Sequence, residues 1–247
     1  MENVKKFFKD IKWYEYLFVG ISLVVMITLS IVFHSHIFYI LSSTFGVVGV
    51  LFLTKVNVVG IFVGIVQIVF YSIISYLNGF YGEMVNNLCV TLPLYIANLI
   101  TWLKNLYSKN GQVKINSSIS WKEVVAAICV VVILSVGMFF VLDYFNTTMV
   151  FVSTLSFTFN TLAIYFLARR SSLNFMFYIF SNIANFTMWG TLIITTHDLS
   201  MLITLINVVV YFLLNCYGLY NWFMTRKKQE NEDASFDQII RVLKSNI

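Results

Sequence analysis

The chain predicts an all-α polytopic membrane protein. Of its 247 residues, 59% are apolar and only 11% charged, against about 45–50% and about 25% in soluble domains. Mean hydropathy is +0.83. Apolar runs repeatedly reach about 18 residues or more, the length at which a helix crosses the hydrocarbon core of a bilayer. Eight such runs leave short loops, one membrane-embedded domain over 1–225 and a tail over 226–247.

The predicted spans are Tyr14 to Phe33, His36 to Leu53, Val58 to Leu77, Gly82 to Leu103, Val124 to Leu142, Met149 to Ala168, Leu173 to Thr195 and Leu199 to Met224. The first follows a charged stretch, MENVKKFFKDIKW, that resembles the start of a signal peptide. Its apolar run is long and lacks a small-residue cleavage site, so a retained helix is expected. Lys and Arg are retained on the cytoplasmic side of short loops, and here they alternate without exception. Lys5, Lys6, Lys9 and Lys12 precede the first span, Lys55 follows the second, Lys104, Lys109, Lys114 and Lys122 follow the fourth, and Arg169 and Arg170 follow the sixth. The other five lie in the tail, and the segments around His34 and His36, Asn78 to Gly82, Asp143 to Asn146 and Thr196 to Asp198 carry none. Both termini are therefore expected in the cytoplasm. Trp13, Trp102, Trp121 and Trp222 fall near cytoplasmic span ends, where indoles anchor at the membrane interface.

Several function classes drop out. The net charge of +5 is divided among loops instead of forming a nucleic-acid-binding stripe. Cys89, Cys129 and Cys216 lie inside apolar runs with no C-x-x-C spacing, which supports neither a disulfide framework nor a metal site. No cofactor is expected. H-E-x-x-H, G-x-S-x-G and intramembrane His/Asp pairs are all absent, so a membrane enzyme lacks its chemistry.

The chain also repeats itself, as transporters often do. Thr44-Phe45-Gly46 with Phe52-Leu53 matches Thr158-Phe159-Asn160 with Phe166-Leu167 at an offset of 114. The third span aligns on the seventh at 118, with Gly60, Gly64, Gln67 and Tyr71 opposite Tyr178, Asn182, Asn185 and Trp189. The fourth aligns on the eighth at 120, with Asn87, Thr91, Tyr95, Asn98 and Trp102 opposite Asn207, Tyr211, Asn215, Gly218 and Trp222. These matches give two three-helix repeats, 34–104 and 147–225, a linker helix over 122–143, and an extra N-terminal helix. A single linker makes the repeats parallel, related by an axis along the membrane normal.

Polar side chains inside hydrocarbon must find partners. Asn207, Tyr211, Asn215, Gly218 and Trp222 share one helix face, as do Asn87, Thr91, Tyr95, Asn98 and Trp102, and Asn174, Tyr178, Asn182, Asn185 and Trp189. Ties between packed helices are one reading of such residues; amide and aromatic stripes meeting around a solute pathway are the other. The second gives Gln67, Tyr71, Asn87, Tyr95, Asn98, Asn182, Asn185, Trp189, Asn207, Tyr211 and Asn215 as candidate substrate-binding residues. Amides pair with a carboxamide or sugar hydroxyls, and Trp and Tyr stack on a ring or attract a cation. No ionisable residue is predicted near mid-membrane, which favours passive transport over proton relays; Na⁺ coupling through backbone carbonyls stays open. Pro93 predicts a kink in the fourth span, as a hinge or a static bend. Residues 105–122 read as a cytoplasmic connector. Phe236, Ile239, Ile240 and Leu243 read as a short amphipathic helix or a disordered tail.

The residues Asn57-x-x-Gly60, Tyr71, Asn78-Gly79-Phe80-Tyr81-Gly82-Glu83 and Asn98-x-x-x-Trp102, with Arg170, Asn174, Asn182, Trp189 and Tyr217-Gly218-Leu219-Tyr220-Asn221-Trp222, resemble the PnuC family of bacterial vitamin transporters. The resemblance spans roughly Leu41 to Arg226. It implies a SWEET-like 3+1+3 core in a bacterial cytoplasmic membrane, import of nicotinamide riboside by facilitated diffusion, trapping by a cytoplasmic kinase, and a homotrimer. Phe175 and Tyr178 stand where tryptophans are frequent in the family, and Asn182 where an acid is often seen. Thiamine or riboflavin is therefore the alternative cargo, with a membrane receptor the reading from another class.

Overall fold

The computed structural model describes residues 12–33, 35–77, 81–107, 111–116, 118–147, 149–197 and 199–245, with side chains described for all of these except 81–83, 200 and 236–245. Its helices are α1 (Trp13–Val32), α2 (Ile37–Thr54), α3 (Val59–Leu77), a fourth element α4, α5 (Trp121–Tyr144), α6 (Val150–Ala168), α7 (Leu173–Thr196) and α8 (Leu202–Ser245). α4 is composite, with α-helical Tyr81–Asn86, π-helical Asn87–Thr91 and α-helical Leu92–Leu103. Among the described residues eight helices are long and apolar enough to cross a membrane, and exposed apolar side chains such as Ile133 and Phe140 on α5 present the face that lipid requires. Hydroxyls within the spans bond back to their own helix, as Ser72 does to the Ile68 carbonyl and Thr158 to that of Thr154. Lys5, Lys6, Lys9, His34, Asn78, Gly79, Phe80 and Asp198, and the side chains of the amphipathic tail pattern, lie outside the described residues.

Packing follows a pseudo-two-fold. Within the units α2 lies on α3 as α6 lies on α7, and α3 on α4 as α7 on α8; between them α8 packs on α2 as α4 packs on α6. The turns that close each unit's first hairpin match at an offset of 114. Val56 and Arg170 both take left-handed backbone, at φ +58° and +55°. Asn57 N–H donates to the Phe52 carbonyl at 3.1 Å, and Ser171 N–H to that of Phe166 at 2.9 Å. Gln67 meets Ser42 as Ser181 meets Ser156, so α3 aligns on α7 at 114, not 118. The four-residue difference is nearly one helical turn and leaves the same face exposed.

The indoles near the basic end of the bundle divide into two classes. Trp13 and Trp121 are exposed, as interface anchors should be. Trp102 and Trp222 are fully buried, with ring centroids 5.8 Å apart. Each donates across the unit boundary, Trp102 Nε1 to the Leu167 carbonyl at 2.8 Å and Trp222 Nε1 to the Leu53 carbonyl at 2.7 Å. They belong to an apolar plug with Val56, Ile61, Val113 and Phe175. The expectation that all four sit at the membrane interface is corrected accordingly.

The extra N-terminal helix also has a counterpart. α1 begins Trp13-Tyr14-Glu15 and α5 begins Trp121-Lys122-Glu123. Glu15 pairs with Lys55 at 2.6 Å, and Glu123 with Arg169 at 2.5 Å, each cation preceding a left-handed turn residue. Each carboxylate also accepts from a tyrosine, Tyr217 and Tyr165 respectively. Local capping positions both acids, because Lys12 N–H donates to Glu15 and the Ser120 hydroxyl accepts from Glu123 N–H. α1 therefore stands to α2 as α5 stands to α6.

Pro93 is accommodated by the π-helical turn just before it, where Leu92 N–H reaches the Asn87 carbonyl. Widening the helix there absorbs the clash and the missing donor of proline. The eighth span does not stop near Met224 but continues as helix to Ser245.

Trp102→Phe and Trp222→Phe are each expected to lower stability by about 1–3 kcal/mol, because each removes a buried indole hydrogen bond between the units and part of a fully buried ring. Thermal unfolding in detergent reads this, with Trp13→Phe and Trp121→Phe leaving the midpoint close to that of the parent.

Candidate functional site

Between the two units lies a cavity of about 190 Å³ whose walls come from α2, α3, α4, α6, α7 and α8. Among the described residues α1 and α5 contribute nothing to its lining, and neither does any Asp, Glu, Lys, Arg or His. Of the eleven residues singled out by sequence, Gln67, Tyr71, Asn87, Tyr95, Asn182, Asn185, Trp189, Asn207, Tyr211 and Asn215 line it. Asn98 does not. It is 1% exposed and its Nδ2 donates to the Ile164 carbonyl at 3.2 Å, tying α4 to α6. Gly218, on the α8 stripe, is closed off by the Phe175 ring, which a Cβ there would overlap.

Glycines make the room for the aromatic lining. A Cβ at Gly46 would overlap the Tyr211 hydroxyl, and one at Gly64 would come within 2.8 Å of the Tyr95 ring. Both tyrosines thus cross into the middle of the molecule against bare backbone. There the Tyr95 and Tyr178 hydroxyls meet at 3.0 Å, joining α4 of one unit to α7 of the other. The π-helical turn contributes Asn87 and Thr91 to the same wall.

Serines in and behind the lining hold its amides. Ser42 accepts from Gln67 at 3.4 Å, Ser43 accepts from Asn207 at 3.2 Å, and Ser156 donates to Asn185 at 3.0 Å. Five other polar atoms of the lining are not spent. Asn86 Oδ1, Thr91 Oγ1, Asn182 Nδ2, Asn207 Oδ1 and the Tyr211 hydroxyl are buried without a protein hydrogen-bond partner. Leaving such groups unsatisfied is costly, and all five residues line this one cavity. The arrangement suits an uncharged or delocalised guest that brings both donors and acceptors.

Sequence reasoning passed over Asn86, Thr91, Ser156, Asn160, Ser181 and Thr204, which also line the cavity. Thr91 and Asn160 lay within the aligned repeat segments, a signal that was available; the serines read equally well as packing residues. Among the described residues no group of three or more His, Cys, Asp or Glu is placed to hold a metal. At the basic end the cavity is floored by the apolar plug around Trp102 and Trp222, and at the other end Trp189 packs with Met188, Leu192, Met201 and Val208.

The fold is similar to that of a solved protein described as the vitamin B3 transporter PnuC. The TM-score is 0.77 at 18% identity, covering 88% of this chain and 94% of the other. No curated protein matches the sequence. The sequence family described as nicotinamide mononucleotide transporter matches residues 36–224, from the start of α2 to beyond the buried Trp222. The chain belongs to this family of membrane transporters.

Proposed function

We propose that the protein imports nicotinamide riboside across a bacterial cytoplasmic membrane by facilitated diffusion, with its basic end and both termini in the cytoplasm. The observation that carries this reading is the set of unpartnered buried polar atoms around an uncharged, aromatic-lined cavity between two matched units. Nicotinamide riboside offers a carboxamide and ribose hydroxyls to the amides and hydroxyls, and a flat cationic ring to Tyr and Trp faces. A phosphorylated relative would bring a charge into a site whose described lining has no Lys or Arg, and burying an unpaired charge is expensive. Rocking of the two units about the cavity supplies alternating access. The absence of Asp, Glu, Lys, Arg and His from the described lining favours transport driven by the substrate gradient.

Uptake of labelled nicotinamide riboside, thiamine and riboflavin into proteoliposomes tests the cargo, with saturable entry of nicotinamide riboside the expected result. Thiamine or riboflavin moving instead would keep the transport mechanism and change the vitamin. A receptor or an enzyme would move none of the three.

Trp189→Ala and Asn207→Ala are each expected to cut that uptake about tenfold or more, the effect of losing one strong contact, while membrane insertion stays intact. Asn98→Ala is expected to behave oppositely. It should lower thermal stability by about 1–3 kcal/mol through the lost tie between α4 and α6 and the space the amide leaves, while the folded protein keeps the parent's apparent affinity for cargo.

A further inference from the structure

Residues 105–107 and 111–116, after α4, are folded against one another. Leu106 and Val113 form an isolated bridge, as do Asn57 and Gln112. Tyr107 N–H donates to the Gln112 carbonyl at 2.7 Å, and Lys114 N–H to that of Asn105 at 3.0 Å. The strap over residues 111–116 passes beneath both left-handed turns. Val113 N–H donates to the Val56 carbonyl and Asn116 N–H to the Arg170 carbonyl, each at 3.0 Å. One short strap thus holds the equivalent turn of each unit. Val113, fully buried, and Ile115 also insert their side chains into the plug that floors the cavity.

The continuation of α8 holds the strap from the other side. Gln229, 4% exposed, accepts from Ile115 N–H at 2.9 Å through Oε1 and donates to the Val113 carbonyl at 3.0 Å through Nε2. Around it Lys114 pairs with Asp233 at 2.7 Å, and the Tyr107 hydroxyl donates to Glu232 at 2.8 Å. Hydrogen bonding to that carboxylate pushes the Tyr107 pKa up to about 12. Val113 is consequently gripped by both units at once, its N–H by the α2–α3 turn and its carbonyl by a side chain on α8. The inner ends of the units part only if one of these bonds breaks. The turn itself is held against strain, since a β-branched residue such as Val56 is disfavoured at φ +58°.

We propose that residues 111–116, clasped by Gln229, form a latch that keeps the cytoplasmic side of the cavity closed, and that inward opening requires the tail of α8 to release this strap. The proposal rests on the alternating-access reading and its sidedness. It makes the tail a control element for the gate: anything that pulls the extension of α8 from the strap favours the inward-open state.

The test reads the floor of the cavity directly. Leu53→Cys, at a plug residue that also lines the cavity, is made with Cys89, Cys129 and Cys216 replaced by Ser, and labelled with a membrane-impermeant maleimide on the cytoplasmic face of inverted vesicles. Adding Gln229→Ala should accelerate labelling about tenfold, the change expected for losing the two hydrogen bonds. Gln229→Glu, which keeps only the acceptor, should fall between. Labelling at the parent rate in Gln229→Ala would overturn the latch.

A second arm leaves the plug untouched. Lys114→Cys with Asp233→Cys, joined by a short reductant-cleavable thiol bridge, should transport poorly until the bridge is cleaved; bridged protein that transports at the unbridged rate would likewise overturn the proposal. The labelling arm needs no cargo. Faster labelling in Gln229→Ala together with no vitamin uptake by the parent would sustain the latch and reject the proposed cargo.

Discussion

Everything in this molecule answers to one constraint: a polar group inside hydrocarbon must be partnered, and the bilayer supplies nothing to partner it. Along most of each span the backbone satisfies itself and the hydroxyls bond back to their own helix, as at Ser72 and Thr158. Where side-chain amides remain, they either tie helices together or surround the cavity. Asn98 is the first kind, spent on the Ile164 carbonyl. Asn182 and Asn207 are the second, each with one buried atom left without a partner. A chain under this constraint retains such atoms at a cost, and a guest that completes them recovers it.

Duplication gives the constraint its geometry. The two hairpin turns, the two indoles that donate across the unit boundary and the two carboxylate–cation tethers all recur in both halves. They cluster at the basic end, where the units are most firmly joined. The cavity wall is less symmetric. Gly64 occupies the place of Tyr178 under the offset fixed by the turns, and the Tyr95 ring of its own unit fills the space, whereas Gly46 makes room for Tyr211 of the other half. A nearly two-fold scaffold with an asymmetric lining suits a cargo that is itself asymmetric.

Much of the fold was legible in the sequence, because span length, apolar content and the alternation of Lys and Arg report the same eight helices independently. The polar stripes were legible too, since a side chain's helix face follows from its spacing. What spacing conceals is depth and partner. Asn98 lies on the same face of α4 as Tyr95 but one turn nearer the basic end, where α6 closes over it. The buried positions of Trp102 and Trp222 were hidden because a span-end indole fits an interface anchor and a tertiary hydrogen bond equally well. A slip of four residues between α3 and α7 preserves the face, so only tertiary contacts, the turn hydrogen bonds and the matched Gln67–Ser42 and Ser181–Ser156 pairs, fixed that register. The match of Trp13 and Glu15 to Trp121 and Glu123 was present in the sequence, but two residues carry too little weight until both acids are seen gripping equivalent cations.

Under the proposed function, the uncharged cavity completes its hydrogen bonds with an unphosphorylated pyridine nucleoside. Equilibrium titration of the purified protein in detergent, by calorimetry, tests this most directly. Saturable one-to-one binding of nicotinamide riboside, with nicotinamide mononucleotide binding far more weakly, is the predicted result; no heat with the nucleoside, or equal affinity for its phosphate, would contradict it.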